Sequence, residues 1–316
     1  MNINKKKVTI GIPCFNEEDN VLVIYKKIKE ITLRLKKYQF DFLFVDNGSN
    51  DNTREKIKIL IKKDRLVKAI FLSRNFGPEN SGQAVMDFAD DVDALITLPC
   101  DFQDPPELIP KFLKKWEKGC NVVVGVYTNS GDDWFTAFIR KSFYSIFKKI
   151  SNIDIPINAS GVGLLDKKAL KAINLLPEKY RFFRGLRSWI GFRTDFVEYE
   201  RKKRLYGKSS YHGYFDYLKH SERGIFGFSY LPLDIMIYFG FIITVLSFLF
   251  IIGYLLTVIL FGNPIKASIT LMLAVVFFGG VNLLALSIIG KYVQVIVEET
   301  KNRPVYIVDE KLNFKD

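Results

Sequence analysis

Cysteine and histidine are scarce, with three Cys and two His in 316 residues. Cys14, Cys100 and Cys120 lie far apart in sequence and show no metal or redox spacing. That argues against a disulfide framework or a Cys/His metal cluster and predicts three reduced, structural thiols. His212 and His220 sit in an aromatic, basic stretch and read as interfacial polar residues. Internal repeats and low-complexity tracts are absent. Met1–Lys7 is polar and basic, without the apolar core and cleavage site of a signal peptide, so the first apolar span is expected to act as the insertion signal.

Charge is missing altogether from residues 235–265 and again from 267–290. A hydrocarbon layer of roughly 30 Å needs about 20 apolar helical residues, so each run can span once. The net charge of +12 lies entirely before these runs, because residues 231–316 carry six basic and six acidic side chains. Between Arg140 and Arg223 there are nineteen Lys/Arg against eight Asp/Glu. Such a basic segment ahead of a span favours phosphates, anionic headgroups and the cytoplasmic side. No nucleic-acid motif accompanies it, which argues against nucleic acid as the partner. The loop at 262–266 holds one Lys, whereas Lys219, Arg223, Lys291, Lys301 and Arg303 flank the other ends, so both termini are expected in the cytoplasm.

The part before the spans alternates strand and helix patterns. Short apolar runs at Val8–Ile12, Phe40–Val45, Lys68–Leu72, Ala94–Leu98 and Val122–Val126 read as buried strands. Glu18–Lys37, Thr53–Lys63, Ser81–Ala89 and Glu107–Lys118 read as helices between them. The pitch implies a mostly parallel, Rossmann-like α/β sheet with ligands at the strand C-terminal ends. Trp134–Ile150 reads as a basic helix, 213–230 as an aromatic interfacial helix, and Lys291–Glu299 as an amphipathic exit helix. The expected organisation is 1–212 as a cytoplasmic α/β domain, 213–230 as the juxtamembrane helix, 231–290 as the membrane hairpin and 291–316 as exit helix and tail. Gly279-Gly280 offers a close-packing surface on which a second copy could seat to form a homo-oligomer.

Four segments fall at strand C-terminal ends: Pro13-Cys14-Phe15-Asn16-Glu17-Glu18, Asp46-Asn47-Gly48-Ser49, Ser73-Arg74-Asn75-Phe76-Gly77 and Cys100-Asp101-Phe102-Gln103-Asp104-Pro105-Pro106-Glu107. Asp46 and Asp51 either bind a ligand or organise their turn. Asp104 reads as a helix cap ahead of two prolines. Arg201–Arg204 is either a solvated charge run or a binder of phosphates and headgroups.

In this ordered set the chain resembles the family 2 glycosyltransferases of the GT-A fold. Within them it is most similar to the polyprenyl-phosphate glycosyltransferases of the dolichol-phosphate mannose synthase and bactoprenol glucosyltransferase type. Phe182-Phe183-Arg184-Gly185-Leu186, Trp189-Ile190-Gly191-Phe192, Gly207-Lys208-Ser209, the two spans and Ile289-Gly290-Lys291-Tyr292 extend the likeness over nearly the whole chain. The resemblance implies a nucleotide-sugar-dependent hexosyltransferase of the bacterial inner membrane, serving cell-envelope glycan assembly. Pro13, Phe15, Glu17, Asp46 and Arg74 would then hold the nucleotide of a donor, a UDP-sugar being favoured. Asp101 with Gln103 would ligate Mg2+ or Mn2+, both hard cations suited to oxygen ligands. Asp101, Arg140 and Lys208 would carry the chemistry, and Arg201, Arg204, Lys208 and Ser209 would bind the phosphate of an undecaprenyl phosphate acceptor.

The chain departs from that pattern at three acidic positions. The metal motif reads Pro99-Cys100-Asp101, the acidic pair after the second strand is Asp46-Asn47, and Gly161 stands where a base is usual. These departures leave two other readings open: a transferase acting on a lipid-linked saccharide, and a catalytically silent, membrane-anchored nucleotide-binding domain.

Overall fold

The computed structural model describes residues 5–89, 91–128, 156, 158–179, 181–202, 204, 227–261 and 268–314. The apolar runs form β1 (Lys6–Cys14), β2 (Tyr38–Asp46), β3 (Val67–Leu72), β4 (Ala94–Thr97) and β5 (Val122–Tyr127). Between them lie α1 (Val21–Arg34), α2 (Thr53–Lys63), α3 (Pro78–Asp87) and α4 (Leu108–Glu117). α3 begins three residues earlier than the pattern suggested, because Pro78 occupies its first turn, where a missing N–H costs nothing. Beyond β5 come β6 (Ala159–Asp166), α5 (Lys167–Asn174), α6 (Phe183–Trp189) and β7 (Thr194–Tyr199). Two long helices, α7 (Leu231–Phe261) and α8 (Ser268–Thr300), precede a last strand, β8 (Val308–Leu312). The helix expected over Trp134–Ile150, and all but the last four residues of the interfacial helix expected over 213–230, lie outside the described residues.

All eight strands join one sheet in the order β7-β5-β6-β4-β1-β2-β3-β8. β1 to β5 and β7 run in one direction, while β6 and β8 run against them. Alternating side chains face opposite sides of such a sheet, and both sides are covered here. Ile10, Phe42, Phe44 and Phe71 pack with Ile28, Ile57 and Phe112 of α1, α2 and α4. Leu43, Val45, Ile70 and Leu95 pack with Val85, Leu170 and Leu186 of α3, α5 and α6. A strand covered on both faces is apolar throughout, which is why β1 to β5 were visible as continuous runs.

α7 and α8 are each long and apolar enough to cross a membrane. Phe241, Ile259 and Leu283 are among their many exposed apolar side chains, a surface of the kind that lipid covers. α8 runs unbroken through Lys291–Glu299 to Thr300.

Within the tail, β8 pairs antiparallel with β3, with Ala69 opposite Leu312 and Phe71 opposite Glu310. The pairing satisfies β3's outer edge, which would otherwise expose unpaired amide and carbonyl groups. Arg54 donates to Asp309 at 2.6 Å and to Glu310 at 2.8 Å. Tyr306 donates to Asp87 at 2.7 Å, and the Phe314 ring stands edge-on to Phe88. The hairpin of α7 and α8 thus leaves from and returns to one sheet, after β7 and before β8.

Hydrogen bonds from Arg54 and Lys58 hold the Glu310 carboxyl below its ordinary 4.5. A carboxyl lowered on docking stabilises the docked state above its free value and loses that contribution as pH falls through the lowered one. Hydrogen exchange over 306–314, corrected for intrinsic rate, is expected to be slow at neutral pH and to accelerate on acidification below 4.5. High salt should accelerate it as well, because these pairs are exposed. Exchange indifferent to both would mean that the ladder alone holds the tail.

Candidate active site

Strand order reverses between β1 and β4, and in open α/β sheets such a switch point leaves a crevice at the strand C-terminal ends. A cavity of about 300 Å3 lies there. Its walls carry Pro13, Phe15 and Glu17 from the β1 loop, Asp101 and Gln103 from the β4 loop, and Arg201 and Arg204 from the segment after β7. β6 runs antiparallel to β4, with Thr97 opposite Gly163, which brings its opening residues, Gly161 included, to the same end.

The first two loops are laced together. Asn16 N–H donates to Ser49 Oγ and Glu17 N–H to Thr53 Oγ1, at 2.9 and 2.8 Å. Asp51 accepts from the N–H of Glu18 at 3.1 Å and of Thr53 at 2.9 Å, which gives it the turn-organising role. Gly48 has φ +71°, and a Cβ there would lie 2.4 Å from the Arg74 backbone, so conformation and space both require glycine. Asp46 is buried beneath this turn, where its Oδ1 accepts from the Ser49 N–H and hydroxyl. Burial raises its pKa, and the Ser49 hydrogen bonds partly offset that. Arg74 is exposed, with its guanidinium 4.2 Å from the Phe76 ring centroid.

Asp104 does not cap α4. Glu107 takes the N-cap position, and Leu108 and Ile109 donate to the Pro105 and Pro106 carbonyls at 3.0 and 3.1 Å, so the turn is satisfied from its own backbone. Asp104 is buried and accepts from the Tyr199 hydroxyl, with Arg201 Nε at 3.8 Å. Burial pushes its carboxyl up.

Two arginines engage the expected metal ligands. Arg201 donates to Gln103 Oε1 at 3.0 Å. Arg204 donates through Nη2 to Asp101 Oδ2 at 3.1 Å and through Nη1 to Glu17 Oε1 at 2.8 Å. Burial raises the Glu17 pKa, against the pull of Asn20 and Arg204. Asp101 and Gln103 form an oxygen-only donor set, the donor type that a hard divalent cation takes, although arginines hold both oxygens here. Among the described residues no three His, Cys, Asp or Glu cluster as a ligand group. An ion here would rest on few protein carboxylates and take its remaining ligands from phosphate and water, as Mg2+ commonly does.

Pro13, Phe15, Glu17, Asp101, Gln103, Arg201 and Arg204 therefore share one cleft, whereas Asp46, buried beneath its turn, and Arg74, exposed on the β3 loop, do not line it. Arg140, Lys208 and Ser209 lie outside the described residues. Sequence reasoning assigned no role to Glu79, Arg184 or Arg187, which also line the cleft. Glu79 accepts from Phe183 N–H at 3.2 Å, and buried Arg187 donates to Ser160 O at 2.5 Å. The two arginines stand three apart on α6, a spacing that places them on one helix face. Cys14 and Cys100, distant in sequence, meet at the cleft floor, and all three cysteines are free and buried.

Gly161 and Gly163 differ in what surrounds them. A Cβ at 161 would meet nothing within 4 Å, whereas one at 163 would lie 2.4 Å from the Val123 carbonyl oxygen. Gly161→Ala is expected to leave thermal unfolding nearly unchanged. Gly163→Ala should cost about 1–3 kcal/mol by forcing β5 and β6 apart. Equal melting temperatures for the two variants would contradict this geometry.

A family model described as Glycosyl transferase family 2 matches residues 9–173. The bactoprenol glucosyl transferase of Shigella phage SfII is 35% identical over 303 residues, covering 96% of this chain and 97% of the relative. An uncharacterized glycosyltransferase of Synechocystis is 36% identical over 305 residues, covering 96% and 95%. Among solved structures, glucosyl-3-phosphoglycerate synthase from Mycobacterium tuberculosis, in complex with Mn2+, UDP and phosphoglyceric acid, aligns at TM-score 0.47 and 14% identity over 70% of this chain and 76% of that one. With its family 2 match, its near full-length relatives and its mostly parallel mixed sheet, this chain belongs to glycosyl transferase family 2 and is a glycosyltransferase of the GT-A fold.

Proposed function

We propose that this glycosyltransferase moves a sugar from a nucleoside-diphosphate sugar, a UDP-sugar by preference, to the phosphate of a polyprenyl (undecaprenyl) phosphate. The observation that carries this reading is the joining of an arginine-lined cleft to an apolar hairpin that leaves and re-enters the same sheet. A soluble donor and a lipid acceptor carry like charge and live in different phases. A cationic crevice beside a bilayer is a place where both can be held. The similarity to bactoprenol glucosyl transferases, which extends through both long helices, supports the same acceptor class.

In this reading an acceptor phosphate oxygen attacks the anomeric carbon, the bond from that carbon to the donor's diphosphate oxygen breaks, and the nucleoside diphosphate departs, leaving the anomeric centre inverted. The second phosphate pKa lies near 6, so the acceptor is largely dianionic at neutral pH and needs no base. The absence of a carboxylate at Gly161 is compatible with such an acceptor. Arg201 and Arg204 offer guanidinium forks to phosphate oxygens. A divalent ion bound at Asp101 would supply positive charge for the departing diphosphate.

Strands on both sides of the hairpin share one sheet, which supports a topology with the segments before α7 and after α8 on one side of the membrane. The basic flanks favour the cytoplasmic side of a bacterial inner membrane. The test is incubation of membranes containing the chain with labelled nucleotide sugars and undecaprenyl phosphate. Label should enter the lipid fraction from one donor. No lipid label from any donor, with or without Mg2+, would overturn the reading.

A further inference from the structure

We infer that Glu17 supplies the second carboxylate of the divalent-cation site, replacing the acidic ligand lost at Pro99, and that the Arg204 guanidinium occupies the ion's seat until the ion arrives. The inference deepens the transferase reading, because the ion's remaining ligands would come from the donor diphosphate in the same cleft.

The geometry has three parts. First, Glu17 and Asp101 follow β1 and β4, adjacent strands of the sheet, so the two carboxylates approach from opposite walls of one crevice. Their inner oxygens, Glu17 Oε1 and Asp101 Oδ2, lie 2.8 and 3.1 Å from the two terminal nitrogens of a single guanidinium. Two carboxylates converging on one small planar cation are spaced within the reach of one ion and its water. Second, both outer oxygens are held by neutral donors. Asn20 Nδ2 donates to Glu17 Oε2, and Gln103 N–H donates to Asp101 Oδ1 at 3.2 Å. Metal-binding carboxylates are oriented by outer hydrogen bonds of this kind, which leave the inner oxygens directed at the ion. Third, the side chains of Glu17 and Asp101 are only 6% and 12% exposed. Two nearly buried carboxylates that both reach one guanidinium stay ionised together only with a cation between them, since otherwise one of them takes up a proton.

Arg204 is suited to a replaceable occupant. It follows β7 rather than belonging to a ladder, so its long side chain can withdraw without breaking the sheet. Bonds to Mg2+ or Mn2+ are shorter than guanidinium hydrogen bonds, and retained water takes up the difference.

The experiment is Mn2+ titration of the full chain in detergent, followed by electron paramagnetic resonance without nucleotide. Wild type should bind Mn2+ weakly. Arg204→Gln should bind it at least about 10-fold more tightly, and that gain should vanish when Glu17→Gln or Asp101→Asn is added. Arg204→Lys, which keeps a charge but loses the fork, should fall between and serves if the glutamine variant does not fold. With UDP present, Glu17→Gln alone should weaken Mn2+ binding about 10-fold. Glu17→Gln leaving Mn2+ affinity untouched in both backgrounds would overturn the assignment, as would Arg204 variants that bind no tighter than wild type. A chain that binds Mn2+ as described yet labels no lipid would keep this site and lose the transferase reading. A chain that labels lipid while Glu17 is irrelevant to Mn2+ would do the reverse.

Discussion

Replacing Asp101 by Asn is expected to lower sugar transfer by about 10^2–10^3-fold, the range seen when one electrostatic stabiliser of a developing anion is removed. Asparagine keeps the shape and one hydrogen-bond acceptor but removes the charge that an ion needs. The departing diphosphate would then be stabilised only by arginines. The loss should appear chiefly in the rate with bound donor, since that charge develops as the bond breaks, with a smaller loss of donor affinity because the ion also contacts the bound diphosphate. Steady-state kinetics with the donor found in the lipid-labelling assay would check it. Arg204 retains Glu17 as a partner in the variant, so the fold should survive. Transfer within a few-fold of wild type would mean that the arginines alone stabilise the leaving group and that Asp101 only braces its loop.

Removing residues 305–316 should destabilise the α/β sheet domain by about 3–5 kcal/mol, a large share of an ordinary domain's stability. The deletion strips the β3 edge of its ladder and removes the ion pairs to Arg54. It also takes away the Tyr306 and Phe314 contacts with Asp87 and Phe88. A shift in melting temperature of about 10 °C or more is expected for a domain of this size. Tyr306→Phe, which loses only one hydrogen bond, should cost about 1 kcal/mol. Thermal unfolding in detergent, with circular dichroism of the full chain as reference, provides the measurement. A deletion that melts within about 2 °C of wild type would show the strand to be an accessory of the fold.

Legibility in the sequence followed burial. β1 to β5 and α1 to α4 were visible because each strand is apolar on both faces and each helix carries one apolar stripe. β7 and β8 were missed because they are the sheet's two edges. Val308-Asp309-Glu310-Lys311-Leu312 is charged along most of its length, and a charged edge strand looks like a tail until its partner is known. β6 was hidden by Gly161 and Gly163, residues disfavoured in strands, one of which is required by a carbonyl beside it.

The candidate site divides in the same way. Residues directly after a recognisable strand, such as Pro13, Glu17 and Asp101, were found because the sheet rule points to that position. Arg184 and Arg187 were not, since α6 is short and its arginines look like a solvated face. The meeting of Cys14 with Cys100 and of Glu17 with Asp101 could not be read locally, because each pair depends on β1 lying beside β4. Arg204 was named for phosphate, and its seat between two carboxylates emerged only from the folded chain.

Hydrophobic periodicity, charge-free runs and strand-end motifs by themselves determined the α/β architecture, the two membrane-length helices and the place of the candidate site. Each is a property of neighbouring residues, and solvent transfer acts on neighbours directly. Which carboxylates share a cation, which arginines reach them and how the tail closes the sheet were decided by tertiary structure alone. Those facts depend on strand order, and strand order is set by the simultaneous burial of surfaces drawn from distant parts of the chain.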